Sequence, residues 1–318
     1  MTILLKKLDK LLLDGASLNE AIILELLADV NQEPAPSELY HYTNDIGLNG
    51  ILESGALRFT DIFGVNDPSE LKHGFSHSLK ILEKLAASGS PLEKQFVNRF
   101  HELYESQLDK TAHFFICSFS KVKDDLAQWR AYADNGRGYN LVFDGALLEN
   151  GFAKPNETPS DSNTTFSVRY NDSETHEIHK KIVKNLFHLV SFVGSQRLEP
   201  SIRDNFLKRL SSELSVRLIH SAIFYKHEAY MPESEYRFMQ IFRGDKPAPN
   251  LKERPRSYGM VRYTEYEWKE GYKDALKKII IGPSADKRKA RDFAESCLEK
   301  YGFTDVSIEE SEIPYRAF

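Results

Sequence analysis

The hydrophobic positions of this chain change period several times, and each change marks an element. Over the first thirty residues they recur at helical intervals. Lys6, Lys7, Asp9 and Lys10 interrupt the run MTILLKKLDKLLLDGASL, so it reads as an amphipathic helix rather than a secretory leader. Asp14-Gly15 predicts a break into two short helices, the second capped by Ser17. Two prolines in NQEPAPSE then mark a linker. The boundary separates an N-terminal helical extension, 1–36, from a single domain over 37–318.

From Leu39 onward short strands and helices alternate. LYHYT predicts a strand, and Asn44 and Asp45 are capping types for a helix over about 44–54 that stops at Gly55. A second strand covers 57–60, the VNDPSE turn follows, and a long helical region runs to about residue 110. AHFFICSFS, Ala112 to Ser120, is the clearest strand in the chain. DDLAQWRAYADNGRG predicts a short helix and a glycine turn, YNLVFD a strand, and residues 151–165 a polar loop. A helical block over 173–225, split at Leu198-Glu199-Pro200, leads to strands at EYRFMQIF, MVRY and KKIIIG. A helix over 286–300 and a strand near VSI close the chain. Strands in the outer thirds flanking a helical middle predict an α+β fold, a mixed or antiparallel sheet with a helical insertion.

Composition narrows the class. With 41% hydrophobic, 12% aromatic and 28% charged residues, this is a folding sequence and not a disordered one. A formal net charge of −5 gives no global case for nucleic-acid binding. Between Arg243 and Arg262, however, six basic residues face two acidic ones in a segment that reads as a loop. Two cysteines, Cys117 and Cys297, form neither a disulfide framework nor a metal motif, which fits a cytoplasmic protein. No apolar run reaches eighteen residues, so no membrane span is expected.

The familiar catalytic motifs are absent: no phosphate loop, dinucleotide fingerprint, HExxH or GxSxG. His73 and His77 share a helical face but lack a third ligand, and no metal site is expected. Three polar clusters at element ends remain. They are His41-Tyr42-Thr43; Ser118 and Ser120 with Trp129, Arg130 and Tyr132; and Glu233, Glu235 and Arg237 in ESEYRF. Period two puts Glu235 and Arg237 on one strand face. Taken singly, each cluster also reads as ordinary structure: a satisfied core histidine, an aromatic core stripe, a surface ion pair.

In this order the segments HYTxxxGLxxILxSGxLR, VNDPSE, CSFS…QWRAY…GxG and ExEYR, with IIIGP and IPYR near the end, resemble an uncharacterised bacterial domain family of unknown function. The His-x-Thr start also resembles DarT-like ADP-ribosyltransferases, and the wider order resembles the His–Tyr–Glu plan of NAD-using ADP-ribosyltransferases. The resemblance implies a split mixed sheet with NAD in the cleft between its halves. It also implies Glu235, or Glu233 two residues before it, as the carboxylate that stabilises an oxocarbenium-like transition state. His41 and Thr43 would hold a ribose or the nicotinamide amide, one of Tyr42, Trp129 and Tyr132 would stack on the nicotinamide ring, and Arg58, Arg130 or Arg137 would meet the diphosphate. Arg237 and the two serines complete the expected binding set. The resemblance leaves the acceptor open among DNA, RNA and protein, with a nucleic acid slightly favoured by the DarT-like start and the basic 243–262 segment; a toxin or anti-phage role is compatible, and the N-terminal helices are a candidate partner site. Two other readings stand beside this one. One is a non-catalytic nucleotide- or partner-binding module, the other a metal-dependent nuclease using Asp67, Glu70 and His73.

Overall fold

A computed structural model describes residues 2–30, 34–64, 69–106, 113–153, 162–242, 248, 250–256 and 259–317. In chain order the elements are α1 (Thr2–Val30), β1 (Glu38–Thr43), α2 (Asp45–Ser54), β2 (Leu57–Asp61), α3 (Ser69–Ala86), α4 (Pro91–Ser106), β3 (His113–Ser120) and α5 (Leu126–Tyr132). Next come β4 (Tyr139–Asp144), α6 (Gly145–Phe152), β5 (Ser162–Ser167), α7 (Asp172–Ser195), α8 (Pro200–Ala222) and β6 (Glu235–Phe242). The chain ends with β7 (Lys252–Arg256), β8 (Gly259–Tyr266), α9 (Lys269–Tyr272), β9 (Leu276–Ile281), α10 (Lys287–Tyr301) and β10 (Ser307–Glu310). The fold is α+β, and the chain divides into two compact units.

The helical unit draws on Met1–Gln32, Val65–His113 and Arg169–Glu228, and therefore on α1, α3, α4, α7 and α8. Its core is largely aliphatic, with Leu8 and Ile23 of α1 meeting Leu186 and Val190 of α7 and Leu210 and Leu214 of α8. The break expected at Asp14-Gly15 does not occur, and α1 is one helix through both residues. The reason is packing. A side chain at Gly15 would come within 2.6 Å of Leu186 Cδ2, so the glycine serves close approach of α1 to α7 rather than a turn. The expected break at Leu198-Glu199-Pro200 does occur, with Pro200 in the first turn of α8, where its missing N–H costs nothing.

The sheet unit comprises Glu33–Gly64, Phe114–Val168 and Ala229–Phe318. Its strands run β10-β9-β4-β1-β3-β2-β8-β7, with β6 joining β3 and β5 joining β6. The sheet is mixed: β9 and β10 are parallel, and β1 with β4, β2 with β8 and β7 with β8 are antiparallel. One face packs on α2, α6 and α10 through residues such as Leu48, Phe152 and Ala294. Part of the other face meets α5 through Tyr40, Tyr42, Val142 and Ile280 against Trp129 and Ala133. The expected caps are present: the Asn44 side chain accepts from Gly47 N–H, and Gly55 closes α2 at φ 64°.

Two strands lie where the sequence predicts loop. Residues 162–165 of the expected polar loop belong to β5 (Ser162–Ser167), antiparallel to β6, and only Phe166 of its side chains is buried. In the basic 243–262 segment, β7 is a fully exposed strand that tolerates Pro255 because of its outer position. Neither strand has a buried alternation to announce it. Residues 65–68 of the VNDPSE turn and the side chains of Glu70 and His73 lie outside the described residues, which leaves the expected nuclease cluster and the His73–His77 pair outside them too. No helix among the described residues is long and apolar enough to cross a membrane.

Candidate functional site

The sheet parts at the junction of β1, β3 and β6. β1 and β3 share a single residue pair, Tyr40 opposite Ser120, and farther back along β3 it is β2 that pairs, through Thr60 with Ile116 and Asp61 with Phe115. At the parting, the backbone of Ser118 is met by a side chain instead of a strand: His41 Nδ1 lies 3.2 Å from the Ser118 carbonyl. A carbonyl only accepts, so Nδ1 carries the hydrogen. Burial lowers the His41 pKa, opposed by this hydrogen bond, so the ring is neutral near pH 7 and Nε2 is left as an acceptor. The ring sits at the margin of the aromatic core, 5.4 Å from Phe119. Thr43 lies on the same pleat face of β1, its hydroxyl over Gly47, where a Cβ would collide with it.

The three segments singled out in the sequence do meet here, though not as one cluster. Phe119 packs 5.0 Å from Phe238, so even positions of β6 share the core face with odd positions of β3. Glu235 and Arg237 therefore project to the opposite face, with Ser118 and Ser120, and away from His41 and Thr43. Arg237 holds Glu235 through two hydrogen bonds, Nε to Oε1 at 2.7 Å and Nη2 to Oε2 at 3.0 Å. Both residues are buried, at 1% and 5% exposure, so guanidinium and carboxylate form a desolvated, doubly hydrogen-bonded pair.

Glu233 is the more accessible acid. It is half-buried at the end of a 3-10 segment, Glu228–Glu233, and accepts from the Tyr132 hydroxyl at 3.1 Å. The Ser120 hydroxyl donates to the Glu233 carbonyl at 2.9 Å, and Lys121 N–H donates to the Ser234 carbonyl. Ser234 has φ 45°, a left-handed value a serine rarely adopts, and so turns the chain sharply between the two acids. Tyr132, Ser120 and Glu233 are thus tied together, with the Ser118 side chain exposed on the same strand end.

Of the three aromatic candidates, two are structural. Trp129 is fully buried, with its indole N–H on Asp124 and its ring edge-on to Tyr42 at 4.9 Å. Tyr42 donates toward the carbonyls of Val122 and Lys123 and accepts from Asp125 N–H, and burial pushes its hydroxyl pKa well up. Tyr132, 39% exposed, is the ring a ligand could reach. Arg130 is exposed on α5, and Arg137 is exposed beside Asp134. Arg58 lies elsewhere, on β2 with Glu265 and Tyr263 of β8. Among the described residues no group of three or more His, Cys, Asp or Glu side chains is arranged to hold a metal.

Sequence reasoning missed Asp124, which receives the Trp129 indole, the Ser311 hydroxyl and Glu312 N–H and so fastens the C-terminal segment to α5. Nothing in the spacing of DDLAQW signals a partner 187 residues away.

Residues 128–238 match the protein family described as "Protein of unknown function (DUF2971)", which accords with the uncharacterised-domain resemblance. The match begins on α5 and ends on β6, and so includes Tyr132, Glu233, Glu235 and Arg237. No curated protein and no solved structure matches the chain.

Proposed function

We propose that the sheet unit is an NAD-using ADP-ribosyltransferase whose cleft opens where β1 and β3 part. The observation that carries this reading is the single Tyr40–Ser120 pair, beyond which His41 rather than a strand meets the Ser118 carbonyl. The residue types at this parting suit the substrate. On one face of the parting neutral His41 offers Nε2 to a ribose hydroxyl; on the opposite face Tyr132 offers a partly exposed ring to nicotinamide, and Arg130, exposed on α5, offers charge to a diphosphate. Glu233 is the carboxylate this reading assigns to the reaction, because Glu235 is committed to Arg237. The nicotinamide–ribose bond breaks with its electron pair leaving on nicotinamide. Glu233 stabilises the positive charge on the ribose and takes the proton of the acceptor nucleophile as the new bond forms.

The test is direct. Purified protein with NAD+ is expected to melt at higher temperature, since ligand at a hundred times its dissociation constant contributes about 2.7 kcal/mol. It is also expected to release nicotinamide, with Glu233→Gln losing about 100-fold in turnover while keeping the thermal shift. Absence of both the thermal shift and nicotinamide release, from folded protein, would overturn the reading. The bidentate hold of Arg237 on Glu235 favours a second one, a nucleotide-binding module, and a thermal shift without nicotinamide release from the wild type is its signature.

A further inference from the structure

The β2–β8–β7 end of the sheet carries a concentration of positive charge that the transferase reading does not use. Register places it on one face. Across β7 and β8, Lys252 is opposite Tyr263, Arg254 opposite Val261 and Arg256 opposite Gly259. Across β8 and β2, Glu265 is opposite Arg58 and Tyr263 opposite Thr60. Residues opposite one another share a face, so Lys252, Arg254, Arg256 and Arg58 project together. They share that face with Glu265, and Glu267 just beyond β8 also acts on Lys252, while Glu253 points the other way.

The cations are exposed and partly preorganised. Every residue of β7 is exposed. The Arg58 guanidinium lies 5.0 Å over the Tyr263 ring and 3.7 Å from Glu265, and Lys252 Nζ is 2.5 Å from the same carboxylate. Arg256 donates to the Gly64 carbonyl at 2.6 Å. Among the described residues no carboxylate pairs with Arg254. Partial desolvation of its guanidinium, with the neighbouring Arg58 and Arg256 cations, lowers its pKa.

We propose that this face is a docking surface for the phosphate backbone of a single-stranded nucleic acid. Three of its four cations are arginines, whose forked donors match phosphate oxygens. Along β7 they repeat at every second residue, about 6.6 Å apart at a rise of ~3.3 Å per residue, a spacing an extended chain of phosphates can follow. The apolar residues of the face, Val261 and Tyr263, are buried at 7% and 8% exposure, so among the described residues it offers no apolar groove to a protein and no wedge to a membrane. The surface stands independently of the transferase reading; where both hold, it names the acceptor class.

The experiment is a salt titration of full-length protein against a fluorescent oligothymidylate of about 12 nucleotides, read by anisotropy. Three to four phosphate contacts predict a log–log slope of about −2 to −3, at ~0.7 per contact for single strands. The double variant R254Q/R256Q is expected to flatten the slope by about 1.4 and to lose at least tenfold in affinity at low salt. R254K/R256K keeps the charge and the slope, and E265Q, which releases Arg58 and Lys252, is expected to bind about two- to threefold more tightly. No binding at about 50 mM salt, or binding unchanged by R254Q/R256Q, overturns the proposal. So does equal competition by polyglutamate or by anionic phosphatidylserine vesicles at matched charge, which would reassign the face to an acidic protein or a membrane. Nicotinamide plays no part in this readout, so failure here and failure of the transferase reading are separate events.

Discussion

In the helical unit the buried polar groups among the described residues are, apart from Lys226, amides, hydroxyls and imidazoles. Asn19 donates to the Ile182 carbonyl at 3.3 Å and accepts from Asn185 at 2.9 Å, and Ser78 meets His179 Nδ1 at 2.8 Å. In the sheet unit two of them are ion pairs, Arg237 on Glu235 and Arg262 on Asp61 at 2.7 Å. The difference teaches where each unit is vulnerable. A neutral buried group fails when pH charges it, whereas an ion pair fails when one partner is removed. The two failures can be read apart, because both tryptophans, Trp129 and Trp268, lie in the sheet unit while the long helices dominate the other.

The largest expected effect is in the sheet unit. Arg237→Ala strands a carboxylate at 5% exposure and is expected to destabilise by about 3–5 kcal/mol, seen as an early tryptophan transition in urea. The double change Glu235→Met with Arg237→Met removes both charges at similar volume and is expected to cost far less, or to stabilise. Equal losses in the single and double variants would show that the pair matters for its packing and not for its charge.

Acid should weaken the helical unit next. His179 is fully buried, its Nε2 has no partner among the described residues, and burial with the nearby His77 lowers its pKa to about 3. Nδ1–H donation to Ser78 leaves Nε2 a bare acceptor rather than an orphaned N–H, so that tautomer costs least. Below pH 6.5 the unfolded chain takes a proton that the folded ring refuses. Stability is therefore whole above pH 6.5 and falls as pH drops toward about 3. Between pH 6.5 and 5 the loss is about 2 kcal/mol at ~1.4 kcal/mol per pH unit. His41 shifts in the same direction, so the sheet unit loses stability with acid as well. His179→Leu should flatten the slope of the helical circular-dichroism signal while leaving the tryptophan signal's slope in place.

The same contrast explains what was legible in the sequence. β3 and α10 were read almost to the residue because their patterns are local, an apolar run ending in alternation and a capped amphipathic helix. β5 and β7 were not, because SNTTFS buries one side chain and KERPR buries none, so their strand character comes from the partner strand alone. At the site, ESEYRF correctly put Glu235 and Arg237 on one face. That the face is opposite to His41 depends on how β6 registers with β3, which no local pattern encodes. Trp129 and Tyr42 looked available for stacking because composition cannot tell an aromatic at a cleft from one beneath it.

The smallest effect is at one of two glycines, one in each unit, that differ in what they face. A Cβ at Gly138 in the sheet unit would collide with the Thr43 carbonyl and come within 3.1 Å of the Ala133 carbonyl, and backbone does not yield cheaply. Gly138→Ala is expected to cost about 1–3 kcal/mol by overpacking and to displace Thr43 at the parting of β1 and β3. At Gly15 in the helical unit, the nearest atom is Leu186 Cδ2 at 2.6 Å, the end of a side chain that can rotate; the Asn185 carbonyl also stands at 3.1 Å, but no backbone atom lies as close as the Thr43 carbonyl does at Gly138. Alanine there also gains about 1 kcal/mol of helix propensity inside α1, which offsets the crowding, so Gly15→Ala is expected to change stability by less than about 1 kcal/mol. Denaturant midpoints for the two variants measure the gap between a glycine pressed on backbone and one pressed on a side chain. A Gly15→Ala loss as large as that of Gly138→Ala would mean that Leu186 is as fixed as a carbonyl, and that the helical core is no more forgiving than the sheet junction.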